Sequence, residues 1–357
     1  MRIALLSYST KPRGGVVHTL ALAEALAEAG ADVTVWSLGR GGDTTFYRAV
    51  DPRVTLSVVP FPEVPGEEVG PRILRSIAVL RDAFDATGYD IVHAQDCISA
   101  NAVGRCIRTV HHLDTFTTPE LVACHEKAIV TPYAHLCVSA AVAAELAAGW
   151  GIKAEVIPNG VDSARFAAAA GPEGAAARAA WGDCFGRYVV TVGGIEPRKG
   201  SLDLLDAYAL LQATDPSLRL VIAGGETLFD YRDYRADWEK RAAELGVSPV
   251  VLGPVADDEL PSLVAAAEVF AFPSHKEGFG LAPMEALAAG VPLVVSDLPV
   301  LREVFRDAAS YASGPVELAR QLREARTADR AAIGRDLAAT YTWEAAAAAH
   351  LEFYKRL

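Results

Sequence analysis

Two glutamates, Glu277 and Glu285, bracket seven residues in the stretch Ser274-His275-Lys276-Glu277-Gly278-Phe279-Gly280-Leu281-Ala282-Pro283-Met284-Glu285. Carboxylates accept hydrogen bonds from hydroxyls, and a sugar and a ribose both offer vicinal hydroxyls. The preceding apolar run Val269-Phe270-Ala271-Phe272 predicts a buried strand. Residues Glu285 to Ala289, closed by Gly290 and followed by the strand Leu293-Val294-Val295, predict a helix with Glu285 near its third position. Pro283 fits only the first helical turn, so the amides free for a ligand belong to residues from about Gly278 to Leu281. They lie at the positive end of the helix dipole, where an anion is favoured. The expected ligand is a phosphorylated sugar gripped by a carboxylate at each end.

This element resembles the Glu-x7-Glu signature of retaining glycosyltransferases of family 4, which have the α/β GT-B fold of two Rossmann-like domains facing a central cleft. The resemblance implies that Glu277 contacts the transferred sugar and that Gly278, Phe279, Gly280 and Leu281 meet the sugar and diphosphate. It implies that Glu285 holds the ribose of the nucleotide.

In open α/β sheets, ligands bind outside the carboxyl ends of the strands, which makes the other strand ends informative. After the first strand, Lys11-Pro12-Arg13-Gly14-Gly15-Val16-Val17 opens a helix on two glycines that let a ligand approach the backbone. The resemblance gives Gly14 and Gly15 to the donor diphosphate or the acceptor side, with Lys11 and Arg13 flanking them. In Thr109-Val110-His111-His112-Leu113-Asp114, His111 matches the family histidine that contacts the transferred sugar, while His112 falls where many members have Asp, which leaves the role between the two. The strand Ile91-Val92-His93-Ala94-Gln95-Asp96 resembles one that often carries a further histidine where Gln95 stands; it either lines the acceptor pocket or is structural.

In Val192-Gly193-Gly194-Ile195-Glu196-Pro197-Arg198-Lys199-Gly200, adjacent Arg198 and Lys199 can set a forked guanidinium and a point charge on a leaving diphosphate. Gly194 occupies the place of a common family arginine, so Arg198 must supply the guanidinium or the pyrophosphate is held with one charge fewer. The loop from Val251 to Leu260, with Val255, resembles the one whose backbone lies along the nucleobase, and Asp257 to Glu259 reads as the first turn of the next helix. No loop carries a clustered Asp-x-Asp suited to Mg²⁺, so neither a metal nor another cofactor is expected. The nucleotide sugar, UDP- or GDP-linked, is a co-substrate.

Bulk properties exclude other classes. A net charge of −12 leaves no global basic field for nucleic acid. Five cysteines without a Cys-x-x-Cys pair predict reduced thiols and a cytoplasmic protein, and no apolar run is long enough to span a membrane. The expected Gly-x-Gly-x-x-Gly is missing after the strands, which argues against a nicotinamide-dependent dehydrogenase.

Short apolar runs alternate with helical patterns through the chain, as in parallel sheets covered by helices. The expected domains are residues 1–163 on the acceptor side, residues 164–340 binding the nucleotide sugar, and a last helix over 341–357 that the resemblance returns to the first domain. The Ala-, Gly- and Pro-rich piece from Ala167 to Ala180 reads as a connector. The function implied is retaining transfer of a sugar, by a front-side route, to a small-molecule, glycan or lipid-linked acceptor. Acceptor contacts are expected from Lys11 to His18, Gly39 to Thr45, Pro60 to Pro71 and Asp114 to Thr117, and Arg72, Arg75 and Arg81 share a predicted helix that either meets a lipid headgroup or is solvated. The alternatives are a non-catalytic sugar-nucleotide-binding subunit and a nucleotide-sugar epimerase or sugar phosphorylase of related fold.

Overall fold

The computed structural model describes residues 1–116, 119–225, 231–327 and 329–357. Thr117 of the expected acceptor segment lies outside the described residues. The chain divides into two units, Met1–Gly160 with Thr342–Leu357, and Val161–Tyr341.

The first unit is built on seven strands: β1 (Arg2–Leu6), β2 (Asp32–Arg40), β3 (Thr55–Phe61), β4 (Ile91–Ala94), β5 (Ile107–Val110), β6 (Ala134–Cys137) and β7 (Glu155–Val156). They lie in the order β3-β2-β1-β4-β5-β6-β7, and every pair is parallel. Helices cover such a sheet on both faces, so its central strands are continuous apolar runs: Ile3, Ala4, Leu5 and Leu6 are fully buried. Strand β3 had no counterpart in the sequence reading. It pairs with β2 alone, and an edge strand tolerates Pro60, whose missing N–H removes it from the usual strand pattern.

The second unit repeats the plan with β8 (Tyr188–Val192), β9 (Arg219–Ala223), β10 (Val250–Gly253), β11 (Val269–Phe272), β12 (Leu293–Ser296) and β13 (Ala309–Ala312). Their order is β10-β9-β8-β11-β12-β13, again all parallel. In each sheet the chain reverses its direction of winding beside the first strand, between β1 and β4 and between β8 and β11. A crevice opens at such a switch point because the loops leaving the two strands diverge to opposite faces.

The expected connector is instead helical. Residues Ser163–Ala170 and Ala175–Phe185 form α-helices joined by a short 3-10 turn, Pro172–Gly174. Alanine is the strongest helix former, and the Asp162 carboxylate accepts from the Arg165 amide to cap the first helix. Gly171 and the turn Pro172–Gly174 interrupt the run.

The last helix, Trp343–Lys355, belongs to the first unit and packs on the Gly14–Glu28 helix. Histidines fasten this junction. The His93 ring bonds Tyr354 Oη through Nδ1 and Thr109 Oγ1 through Nε2, both at 2.7 Å, and His18 Nδ1 meets Asn159 Oδ1 at 2.8 Å. The His18 ring lies 5.5 Å from Trp343 and 6.4 Å from His350. Burial is the largest influence on His18, His93, His111 and His350, and it holds all four below the usual histidine range, His350 at about 4.

Neutral imidazoles in the fold bind fewer protons than the unfolded chain does below pH 6.5. Their contribution to stability is complete above that value and is lost as pH falls toward about 4. The first unit is therefore expected to unfold before the second on acidification from pH 7 to 4.5. Tryptophan fluorescence and hydrogen exchange resolved by segment check this; exchange that rises equally in both units contradicts it.

Candidate active site

Two loops at the β8/β11 switch point meet on one carboxylate. After β8, residues Pro197–Lys199 make a 3-10 turn that ends at Gly200, with φ +63°. A Cβ at Gly200 would lie 2.0 Å from the Pro273 carbonyl oxygen, so only glycine permits this approach to the loop leaving β11. The His275 amide donates to the Arg198 carbonyl at 2.8 Å, and the His275 ring meets Asp203 at 2.9 Å. The two loops are thereby zipped together along their backbones.

Their side chains then converge. Glu277 Oε1 accepts from Arg198 Nη1 at 2.9 Å and from Lys199 Nζ at 2.5 Å, and Arg198 also donates to the Lys276 carbonyl at 3.2 Å. The Lys199 stem runs over Gly193, and its ammonium stands 4.7 Å from the Phe272 ring centre. Burial draws the Lys199 pKa down while the Glu277 carboxylate opposes it. The two cations thus share the Glu277 carboxylate, and Glu196 on the same loop adds a second negative charge acting on Lys199.

The loop then reaches its helix, Leu281–Ala288, which starts earlier than the sequence suggested and makes Glu285 its fifth residue. Gly280 caps it with φ 96°, where a Cβ would come within 3.0 Å of the Phe305 ring. Pro283 has no N–H, so the amides without intrahelical acceptors at this end are those of Leu281 and Ala282. Phe279 is buried edge-on against Tyr341, with ring centres 5.3 Å apart, which orients the loop backbone and leaves its amides to a ligand. Gly194 follows Gly193, whose backbone packs closely on Gly224, and Val255 lies in the loop after β10.

Glu285 sits in a different electrostatic setting. Burial raises its pKa to about 7, Arg165 lowers it, and Asp257 and Asp162 raise it further. Arg165 is itself engaged by Asp257 at 2.9 Å. Neither Arg165 nor Asp257 entered the sequence reading as a companion of Glu285. They lie 92 residues apart and no local pattern links them; Asp257 precedes the Leu260–Ala265 helix by a turn and is not its first residue.

In the first unit, the Gly14–Glu28 helix opens directly on the two glycines, with Arg13 as its cap. A Cβ on Gly15 would be 3.8 Å from the His111 ring, and the His111 and His18 rings meet edge-on at 4.7 Å. The His111 Nε2 is buried without a hydrogen-bond partner among the described residues, and burial, then His112 and Arg108, lower its pKa to about 3. His112 points elsewhere, pairing with Asp114 at 3.1 Å. The geometry thus distinguishes the two histidines: His111 belongs with Gly15, His112 with the following loop. His93 is fully buried with both nitrogens bonded, which leaves it no nitrogen for a ligand. Lys11 is exposed and paired with Asp43 at 3.0 Å.

Comparison with known proteins identifies the family and the fold. Residues 12–165 match the family described as Glycosyltransferase Family 4, and residues 186–325 match Glycosyl transferases group 1. A phosphatidyl-myo-inositol mannosyltransferase of Mycolicibacterium smegmatis is 30% identical over 345 residues, covering 89% of this chain and 81% of that protein. A D-inositol 3-phosphate glycosyltransferase of Mycolicibacterium vanbaalenii is 30% identical over 410 residues, covering 99% and 90%. Among solved structures, Anabaena HepE in complex with UDP and glucose superposes with a TM-score of 0.75 at 19% identity, over 99% of each chain, which places the fold in the GT-B class. With relatives aligned over nearly its whole length and both halves matched, the chain belongs to glycosyltransferase family 4 and is a glycosyltransferase.

Proposed function

We propose that the protein moves a glycosyl group from a nucleoside-diphosphate sugar to an acceptor hydroxyl with retention of anomeric configuration. The observation that carries this reading is the Glu277 carboxylate gripping both Arg198 and Lys199 one short helix entrance away from Glu285. As the glycosidic bond to phosphate breaks, negative charge grows on the leaving β-phosphate and positive charge on the sugar ring. Lys199, Arg198 and the amides of Leu281 and Ala282 answer the first with donors already in place. Arg198 supplies the guanidinium for which Gly194 has no side chain.

Glu277 has two tasks in this scheme: it holds the basic pair and turns its remaining oxygen toward the sugar. A carboxylate bound to two cations is a weak nucleophile, which supports a front-side route. In that route the departing phosphate oxygen takes the proton from the acceptor hydroxyl as the new glycosidic bond forms on the same face. His111, neutral at physiological pH, serves as a hydrogen-bonding group for the sugar and not as an acid. Glu285, once ionised, accepts from the two ribose hydroxyls. The names of the inositol-linked relatives support a polyol acceptor.

Nucleoside diphosphate release from UDP- and GDP-sugars, with the anomeric configuration of the product read by NMR, tests the reading. Replacing Lys199 or Arg198 by Ala is expected to lower turnover about 10²- to 10³-fold, the usual loss for a donor to developing charge. Glu277→Gln should lower kcat more than it raises the donor KM. An Arg198→Ala enzyme as fast as the parent removes the guanidinium from the scheme, and an inverted product removes the front-side route.

A second expectation concerns stability. The folded pKa of Glu285, about 7, exceeds its unfolded value, so the carboxyl is at its most stabilising when protonated and that contribution is lost as pH rises through about 7. Glu285→Gln is therefore expected to raise Tm by several degrees at pH 8, a gain on the order of 2–3 kcal/mol at most, and to leave Tm nearly unchanged at pH 5. UDP affinity should fall at least tenfold in the same variant. An equal Tm change at both pH values would mean that the carboxyl is well solvated.

A further inference from the structure

At the carboxyl ends of β1, β2 and β3 in the first unit, four arginines crowd around two aromatic rings. Arg40, the last residue of β2, has its guanidinium 5.7 Å from the Tyr8 ring centre and 5.8 Å from that of Phe61, the last residue of β3. Arg13 lies 6.0 Å from the Tyr8 ring centre, and Arg75 stacks 3.9 Å over Phe61. Arg72 comes from the same helix as Arg75, Val69–Ala83. Tyr8 itself is pinned through its amide to the buried Asp96 carboxylate at 2.9 Å, so the group stands beside the β1/β4 switch point.

Stability does not account for this arrangement. Arg72 stands in the first turn of its helix and Arg75 one turn on, the end where the helix dipole disfavours a cation and where no acidic residue stands in the first turn. The Arg40 pKa is drawn down to about 10 by burial and by the charges of Arg72, Arg13 and Arg75, which still leaves it a cation at neutral pH. Its Nε and Nη2 are buried with no hydrogen-bond partner among the described residues. Of the nearby carboxylates, Glu67 makes a forked pair with Arg75 at 2.6 and 2.7 Å and also feels the charges of Arg72 and Arg40, while Asp43 holds Lys11. A half-buried guanidinium with two orphaned donors, among three further guanidinium groups and one carboxylate already paired to Arg75, is suited to an anion.

We propose that Arg40, with Arg72 and Arg75 around it, seats a phosphate monoester carried by the acceptor, so that this glycosyltransferase acts on a phosphorylated acceptor. The proposal rests on the glycosyl-transfer reading above and specifies its acceptor. A dianion suits the excess of guanidinium groups better than a single carboxylate, and the fork geometry matches phosphate oxygens. The phosphate is a binding handle and takes no part in bond making.

The test titrates the full-length protein with glycerol 3-phosphate, with and without saturating UDP, and in parallel with vesicles of phosphatidylcholine containing phosphatidic acid. Arg40→Met is expected to weaken phosphate binding at least tenfold and to keep or raise Tm, because it removes one of several like charges; Arg40→Lys, a point charge without the fork, should fall between. If Arg40→Met fails to fold, Arg72→Gln is measured against the same tenfold criterion. Binding of glycerol 3-phosphate that depends on Arg40 assigns a soluble phosphorylated acceptor, and Arg40-dependent binding seen only with vesicles assigns the same phosphate on a lipid. Binding that is absent in both formats, or unaltered by both substitutions, or matched by glucuronate overturns the proposal. Absence of UDP binding instead contradicts the donor reading, and the glycerol 3-phosphate titration still reports on Arg40.

Discussion

A single carboxylate oxygen, Glu277 Oε1, holds the second unit's chemistry in place by binding Arg198 and Lys199 at once. Neither cation is well hydrated, and without the carboxylate the two would repel each other across a few ångströms. Buried charge groups of this kind contribute little net stability and lose a great deal when one partner is removed. Their value is positional: the loops after β8 and β11 can only take the register in which the three charges meet. The backbone approach at Gly200 and the His275-to-Arg198 hydrogen bond make that register possible.

The two glutamates of one short motif are driven to opposite electrostatic states by their surroundings. Glu277 has cations within hydrogen-bond distance, whereas Glu285 is recessed in a helix with Asp257 and Asp162 nearby and with Arg165 already committed to Asp257. The same side chain therefore meets two cations at one position and burial among carboxylates at the other.

The first unit works by a contrast of the same kind. His18, His93, His111 and His350 pack against one another and are held below the usual histidine range by burial, with His111 facing Gly15, while Arg13, Arg40 and Arg75 gather around Tyr8 and Phe61. The chain as a whole is acidic, so the positive potential here is a local construction of the fold and not a property of composition.

By itself, the sequence determined the alternating α/β plan, because period-two and period-3.6 apolar patterns are local, and it determined the strand-to-helix turns around Gly14, Lys199 and Gly280. It missed β3, since an edge strand with a proline lacks the buried pattern, and it took an alanine-rich helical pair for a connector because glycine and proline drew attention from the helix formers between them. The strand orders, the pairing of Glu277 with Arg198 and Lys199, the packing of His111 on His18 and Gly15, and the Arg165–Asp257 pair beside Glu285 were decided only by tertiary structure. Each joins residues tens of positions apart in the chain, and long-range pairing is fixed by the burial of both sheet faces and by the desolvation of charge, quantities that no short window of sequence contains.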